Sequence, residues 1–176
     1  MTVPVPMLPS GAGVVRPVEP ADVADVVSMV HELAAYERAP DSCTLTDEQL
    51  RLALFGPAPA LFGHVAAGTG GRLLGFALWF LNFSTWEGQH GIYLEDLYVR
   101  PESRGEGTGR ALLAELAKVC RDRDYGRLQW WVLDWNAPAL GFYRRVGAVA
   151  MDEWTVWRLS GAALAELAAD GPPAPA

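Results

Sequence analysis

At 176 residues with 51% hydrophobic content, the chain is long enough to build one domain around a real core. A formal net charge of −7 argues against nucleic acid as a partner and favours a cationic ligand. No apolar run approaches the ~18 residues of a membrane span, and the N-terminus lacks a signal peptide's basic patch and apolar stretch, so no membrane partner and a cytoplasmic location are expected.

Met1 to Gly13 contains Pro and Gly without periodicity and reads as a loose, flexible arm. Val14 to Val18 reads as a short strand. Pro20 suits a helix start, and Val23, Val26, Val27, Val30 and Leu33 keep a helical period. Thr46 with Gln49 has the form of a capping box for a second helix, ended by Gly56-Pro57. Leu61 to Ala67 and Arg72 to Phe83 read as two strands with Thr69-Gly70-Gly71 as the hairpin turn. Ile92 to Val99 is the next strand. In the helix from Thr108 to Asp122, Leu112, Leu116, Val119 and Cys120 share one face. Gly126 marks a turn into Leu128 to Leu133, a strand expected to be buried on both faces. Ala137 to Arg145 is a short helix with Gly147 as its stop. Val149 to Met151 and Trp154 to Leu159 read as a last antiparallel pair, and Ala162 to Ala168 as a terminal helical turn. The expected organisation is an arm (1–13), one domain (14–168) and a disordered tail (169–176). The order β-α-α-β-β-β-α-β-α-β-β implies an α/β sandwich with a mixed, mostly antiparallel sheet flanked by helices.

One stretch carries more information than the rest. Between the strand at Ile92 and the helix at Thr108 runs Arg104-Gly105-Glu106-Gly107-Thr108-Gly109. Glycines before a helix start leave backbone N–H groups uncovered at the positive end of the helix dipole, a ready seat for phosphate. A Walker-type loop would need Lys-Ser or Lys-Thr where Arg110-Ala111 stands. A dinucleotide fingerprint would need a different last glycine spacing. The pattern that remains is Arg-x-x-Gly-x-Gly, at Arg104, Gly107 and Gly109.

In that pattern the chain resembles the GNAT superfamily of N-acetyltransferases, whose loop of this form holds the pyrophosphate of acetyl-coenzyme A. Trp135-Asn136 followed by Phe142-Tyr143 and Gly147-Ala148 is similar to the family's second signature. Tyr93-Leu94-Glu95-Asp96, Arg16-Pro17 and Glu32-Leu33-Ala34-Ala35-Tyr36-Glu37 resemble the diamine and polyamine (spermidine/spermine) branch. The resemblance runs from about Val15 to Leu167. It implies the GNAT fold, acetyl-coenzyme A as acetyl donor, no metal, and a homodimer.

Acyl transfer to an amine poses two proton problems. An ammonium with a pKa of about 10.4 must lose a proton before it attacks, and the departing thiolate must gain one. Glu95 and Asp96 are the candidates for the first, since two carboxylates inside an apolar strand need a reason. Their side chains would point to opposite faces unless a bulge intervened, and the resemblance implies one here. By the same resemblance, Tyr143 is the general acid on the coenzyme sulfur. Leu97, Tyr98 and Val99 offer backbone groups to the thioester and pantetheine arm, Arg104 to Gly109 (Glu106 and Thr108 included) seat the pyrophosphate, and Asn136 contacts the coenzyme. Tyr36, Glu37 and Trp86 fall on the substrate side, where aromatic faces and carboxylates suit an alkylammonium.

Most of the seven tryptophans are expected in the core, Trp130 and Trp131 in the sheet interior. His31, His64 and His90 have no expected role, and Cys43 and Cys120 read as two buried thiols. The function implied is acetylation of a small polyamine or diamine by direct attack in a ternary complex. The alternatives are another amine (thialysine, an amino acid, an aminoglycoside) or a module that binds acetyl-coenzyme A without catalysis.

Overall fold

The computed structural model describes residues 13–171, which fall into two compact units, 13–133 and 134–171. Most of the expected arm, 1–12, and the end of the expected tail, 172–176, lie outside the described residues. Gly13 already belongs to a strand and Ala169 to a helix.

The first unit is a five-stranded sheet in the order β1-β2-β3-β4-β5. Its strands are β1 (Gly13–Pro17), β2 (Phe62–Gly68), β3 (Leu73–Ser84), β4 (Gln89–Val99) and β5 (Arg127–Gln129). The first four run antiparallel to their neighbours, and β5 pairs parallel with β4. Three helices belong to it: α1 (Val23–Tyr36), α2 (Asp47–Phe55) and α3 (Thr108–Asp122). The expected α/β fold with a mixed sheet is therefore present.

Period decides which face each helix covers. Val23, Val26, Val27 and Met29 of α1 are buried and pack with Leu50 and Leu54 of α2 against Val65, Phe76, Leu78 and Tyr98 of the sheet. Leu112, Leu113, Leu116 and Cys120 of α3 are buried, and this helix contacts β2, β3 and β4. The start of α2 is fixed locally. Thr46 accepts from the Gln49 backbone N–H at 3.3 Å, and the Gln49 side chain accepts from the Thr46 N–H at 2.9 Å, the reciprocal capping box its sequence promised. Ahead of α1, Arg16 grips Asp22 through two bonds of 2.6 and 2.9 Å. Burial pushes the Asp22 carboxyl up, but the bonds from Arg16 and from the Glu19 N–H hold it below the usual carboxylate range.

Two expectations fail at the C-terminal side. The strand expected over Leu128 to Leu133 is only Arg127–Gln129, and it has one neighbour, β4. An edge strand has an open side, so Trp130 is half-buried and Trp131 is 56% exposed rather than interior. The last strand pair is also absent, since residues 149–151 and 154–159 form no strand in the second unit. Val149, Trp154, Val156 and Trp157 are exposed there. An alternating apolar run becomes a strand only when another strand accepts its hydrogen bonds. That unit holds α4 (Ala137–Arg145) and α5 (Gly161–Ala169). No helix among the described residues is long and apolar enough to cross a membrane.

Candidate active site

The two carboxylates of β4 sit where the β3–β4 register breaks. Leu78 faces Asp96 and Trp79 faces Leu94, which leaves Glu95 as an extra residue on β4. That count defines a β-bulge, and it overrides the alternation of a regular strand. Glu95 is exposed and Asp96 half-buried. Burial pushes the Asp96 carboxyl up to about 6, and the negative charges of Glu95 and Glu37 add to the rise. Glu37 closes the C-terminal end of α1, and burial raises its carboxyl as well. Three carboxylates from two elements thus share one neighbourhood, and none of them forms an ion pair among the described residues. Such a group attracts a cation, and an acid titrating near neutrality is suited to accept its proton.

An aromatic row adjoins the bulge. Phe80 stacks on Tyr93 at 4.9 Å between centroids, and Tyr93 meets Trp131 edge-on at 5.6 Å. The bulge puts Tyr93 and Asp96 opposite Phe80 and Leu78, two β3 residues of one parity and hence one face. Phe80, Tyr93 and Trp131 were not among the expected site residues. Their signal was present in the alternation, but it becomes readable only once Glu95 is known to be the extra residue.

Trp86 lies in the turn joining β3 to β4 and is 93% exposed. Among the described tryptophans only Trp79 is buried in the core, so the expectation that most would be internal fails. Trp79 donates its indole N–H to His64 Nδ1 at 3.2 Å, and burial holds that imidazole below its usual range. His31 and His90 bond the backbone carbonyls of Leu45 and Asn82. Cys120 is buried as expected, whereas Cys43 is only half-buried.

The glycine loop has the geometry an anion needs. Gly105 and Gly107 have φ of 80° and 88°, left-handed values that favour glycine. Gly107 is the N-cap of α3 and offers no side-chain cap, and the first intrahelical bond runs from Ala111 N–H to its carbonyl at 2.9 Å. The N–H groups of Thr108, Gly109 and Arg110 precede that bond, at the positive end of a 15-residue helix. Space outside the turn is open, since a Cβ at Gly105 would meet nothing within 4 Å. The loop is closed behind by the buried Thr108 hydroxyl, which donates to the Ser103 carbonyl at 3.3 Å. Glu106 is exposed. These residues fit a pyrophosphate bound by backbone.

Arg104 folds back from this loop toward the end of β4. Its Nε donates to the Val99 carbonyl at 2.8 Å, and its guanidinium lies over the rings of Tyr36 and Tyr98. Along β4, pairing with β5 stops at Tyr93, so from Leu94 to Val99 the edge away from β3 has no strand partner among the described residues. Leu97, Tyr98 and Val99 lie on that stretch, where an extended ligand arm can take the place of a strand. Tyr98 itself is anchored: its hydroxyl donates to Glu32 at 3.0 Å, and Arg100 holds the other Glu32 oxygen at 2.7 Å.

Asn136 and Tyr143 belong to the second unit. Asn136 is buried, and its Oδ1 caps α4 by accepting from the Ala139 N–H at 3.3 Å. Tyr143 is half-buried on α4 beside Phe142, with ring centroids 5.3 Å apart. The backbone carbonyl of Tyr143 ends the helix by accepting from Ala148.

Comparison with known proteins bears on this arrangement directly. Residues 27–148 match the acetyltransferase (GNAT) family. The chain is 34% identical over 164 residues to the thialysine N-epsilon-acetyltransferase of Bos taurus, spanning 88% of this chain and 96% of that protein. It is 27% identical over 151 residues to a spermidine/spermine N(1)-acetyltransferase-like protein of Homo sapiens, spanning 82% of this chain and 22% of that longer protein. An integron cassette protein from the mobile metagenome of V. cholerae superposes with a TM-score of 0.75 at 26% identity, covering 89% of this chain and 98% of that one. With such a span of match, the likeness carried by the β4 strand and the loop behind it is kinship: the chain belongs to the acetyltransferase (GNAT) family and is an N-acetyltransferase.

Proposed function

We propose that the enzyme passes an acetyl group from acetyl-coenzyme A to the primary amine of a small aliphatic acceptor, by direct attack in a ternary complex. The observation that carries this reading is the set of three carboxylates around the β4 bulge, none in an ion pair among the described residues and one titrating at about 6. Bound at the loop from Arg104 to Gly109, the coenzyme supplies a thioester as the activated acetyl group. Glu37, Glu95 and Asp96 hold the incoming ammonium. Glu95, on the bulge, takes its proton directly or through water, with Asp96 beside it as the second acceptor. Backbone groups of Leu97, Tyr98 and Val99 line the thioester and pantetheine arm. Tyr143 gives a proton to the departing sulfur, and Asn136 contacts the coenzyme. Tyr36 and Trp86 present aromatic faces to the alkyl-ammonium chain. The proposed assembly is a homodimer in the cytoplasm.

A diamine or polyamine is the acceptor class that the geometry favours, because three neighbouring carboxylates attract every added positive charge. A second reading is thialysine, favoured by the Bos taurus relative. Thialysine brings an α-carboxylate, which these three carboxylates repel, so its head must lie away from the bulge. The test is thiol release from acetyl-coenzyme A with spermidine, 1,4-diaminobutane, thialysine and a simple monoamine. Highest kcat/KM on the di- and polyamines, falling as salt rises, is the expected outcome. Thialysine outpacing them moves the acceptor to the second reading, and no release with any amine removes the proposal.

A further inference from the structure

A cation already rests on the acceptor side. The guanidinium carbon of Arg104 lies 5.1 Å from the ring centroid of Tyr36 and 5.6 Å from that of Tyr98, within the reach at which an aromatic face attracts positive charge. The two rings differ in what they can do. Tyr98 is 5% exposed, packed near Phe76 and tied through its hydroxyl to Glu32, so it is part of the frame. Tyr36 is the last residue of α1, 38% exposed, and directly precedes Glu37 of the carboxylate group.

The hold on Arg104 is weaker than that on the four arginines held in ion pairs. Arg16, Arg72, Arg100 and Arg121 each pair with a carboxylate. Among the described residues Arg104 pairs with none, and its side chain is fixed by the one bond to Val99 and the two rings. It is exposed, and the next residue is Gly105, the first glycine of the phosphate loop.

Resting on the coenzyme and acceptor sites assigned above, we propose that Arg104 is a positioning residue that occupies the face of Tyr36 as an internal stand-in for the acceptor's ammonium and leaves it for the coenzyme's phosphates. A guanidinium suits phosphate oxygens through paired N–H donors, a stronger attraction than exposed rings provide. While Arg104 lies on Tyr36, an amine entering beside Glu37 meets a like charge and an occupied ring. Once Arg104 has moved, that face of the ring and the carboxylates meet the amine without its competing charge. Coenzyme and amine therefore promote each other's binding, and linkage makes that help equal in both directions.

Calorimetry tests this without turnover, using 1,4-diaminobutane, thialysine and non-acetylated coenzyme A as probes. Without coenzyme, Arg104→Gln should bind the amine about 3- to 10-fold more tightly than wild type, and Arg104→Lys should stay near wild type. Adding Tyr36→Leu to Arg104→Gln should abolish the gain. Coenzyme A should tighten amine binding to wild type by a similar factor and leave Arg104→Gln unmoved. Equal, weaker or undetectable amine binding by Arg104→Gln overturns the proposal. A gain that survives Tyr36→Leu overturns it too, because that marks a plain change of net charge. Failure of coenzyme A to bind wild type strikes the loop assignment instead, while the coenzyme-free comparison still decides whether Arg104 blocks Tyr36.

Discussion

The bulge of β4 and the loop that precedes α3 lie a few residues apart, yet they offer a ligand opposite things. At the bulge the working groups are side chains, and burial together with mutual repulsion brings Asp96 to about 6. At the loop they are backbone N–H groups, exposed because Gly105 and Gly107 hold φ of 80° and 88° and no side chain caps the helix. A side-chain site fails when charge is removed at constant shape. A backbone site keeps its donors when a side-chain charge is removed and fails when a Cβ is added. Each substitution should therefore damage one half of the reaction and spare the other.

The largest effect is expected at Tyr143, the proposed general acid, which belongs to neither bulge nor loop. Tyr143→Phe removes one hydroxyl and little volume, and kcat should fall by about 10²–10⁴-fold with coenzyme affinity nearly unchanged. Wild-type turnover under conditions where chemistry limits the rate would take Tyr143 out of the mechanism. Next come Asp96→Asn and Glu95→Gln, each removing one charge-assisted bond worth about 1.5–3 kcal/mol. Their kcat/KM for the amine should drop by about 10- to 150-fold, while calorimetry of the coenzyme shows no change. Loss of coenzyme binding in either variant would dissolve the contrast between bulge and loop.

Gly107→Ala probes the other half. At a φ of 88° an L-residue is strained by about 1–2 kcal/mol. The variant should lose about tenfold in coenzyme affinity and a few degrees in Tm. An affinity equal to wild type would end the loop assignment.

The smallest effect is on pH. Below about 6 Asp96 is protonated and cannot accept a proton, so kcat/KM should fall toward acid with a limb that Asp96→Asn lacks. Stability runs the other way. Because folding raises this carboxyl above its ordinary 3.8, its contribution is full below that value and lost as pH rises through about 6. Asp96→Asn, which cannot ionise, should gain in Tm relative to wild type at pH 8 compared with pH 4. No change in the difference would mean that Asp96 is not desolvated in the fold.

Much of the framework was legible because its signals are local. The helix from Thr108 to Asp122 and that from Ala137 to Arg145 have the bounds their patterns implied, and Thr46 and Gln49 form their box. The strands β2, β3 and β4 lie within a few residues of their expected ends. At the C-terminal side Trp131, Val149, Trp154 and Val156 misled, because apolar alternation states what a segment could bury and not what is there to cover it. A single strand partner left β5 at an edge, and Trp131 beyond its end exposed.

The chain by itself determined the glycine loop, the caps and the presence of two adjacent carboxylates in an apolar strand, since each depends on residues within a turn or two of one another. Only the tertiary structure decided that Glu95 is the residue forced out of register and that Tyr93 then shares a face with Asp96. It alone brought Glu37 close enough to raise that carboxyl and laid Arg104 on Tyr36. Those contacts join the end of a helix to a distant strand and loop, and their geometry follows from how α1 packs on the sheet, which no short-range pattern encodes.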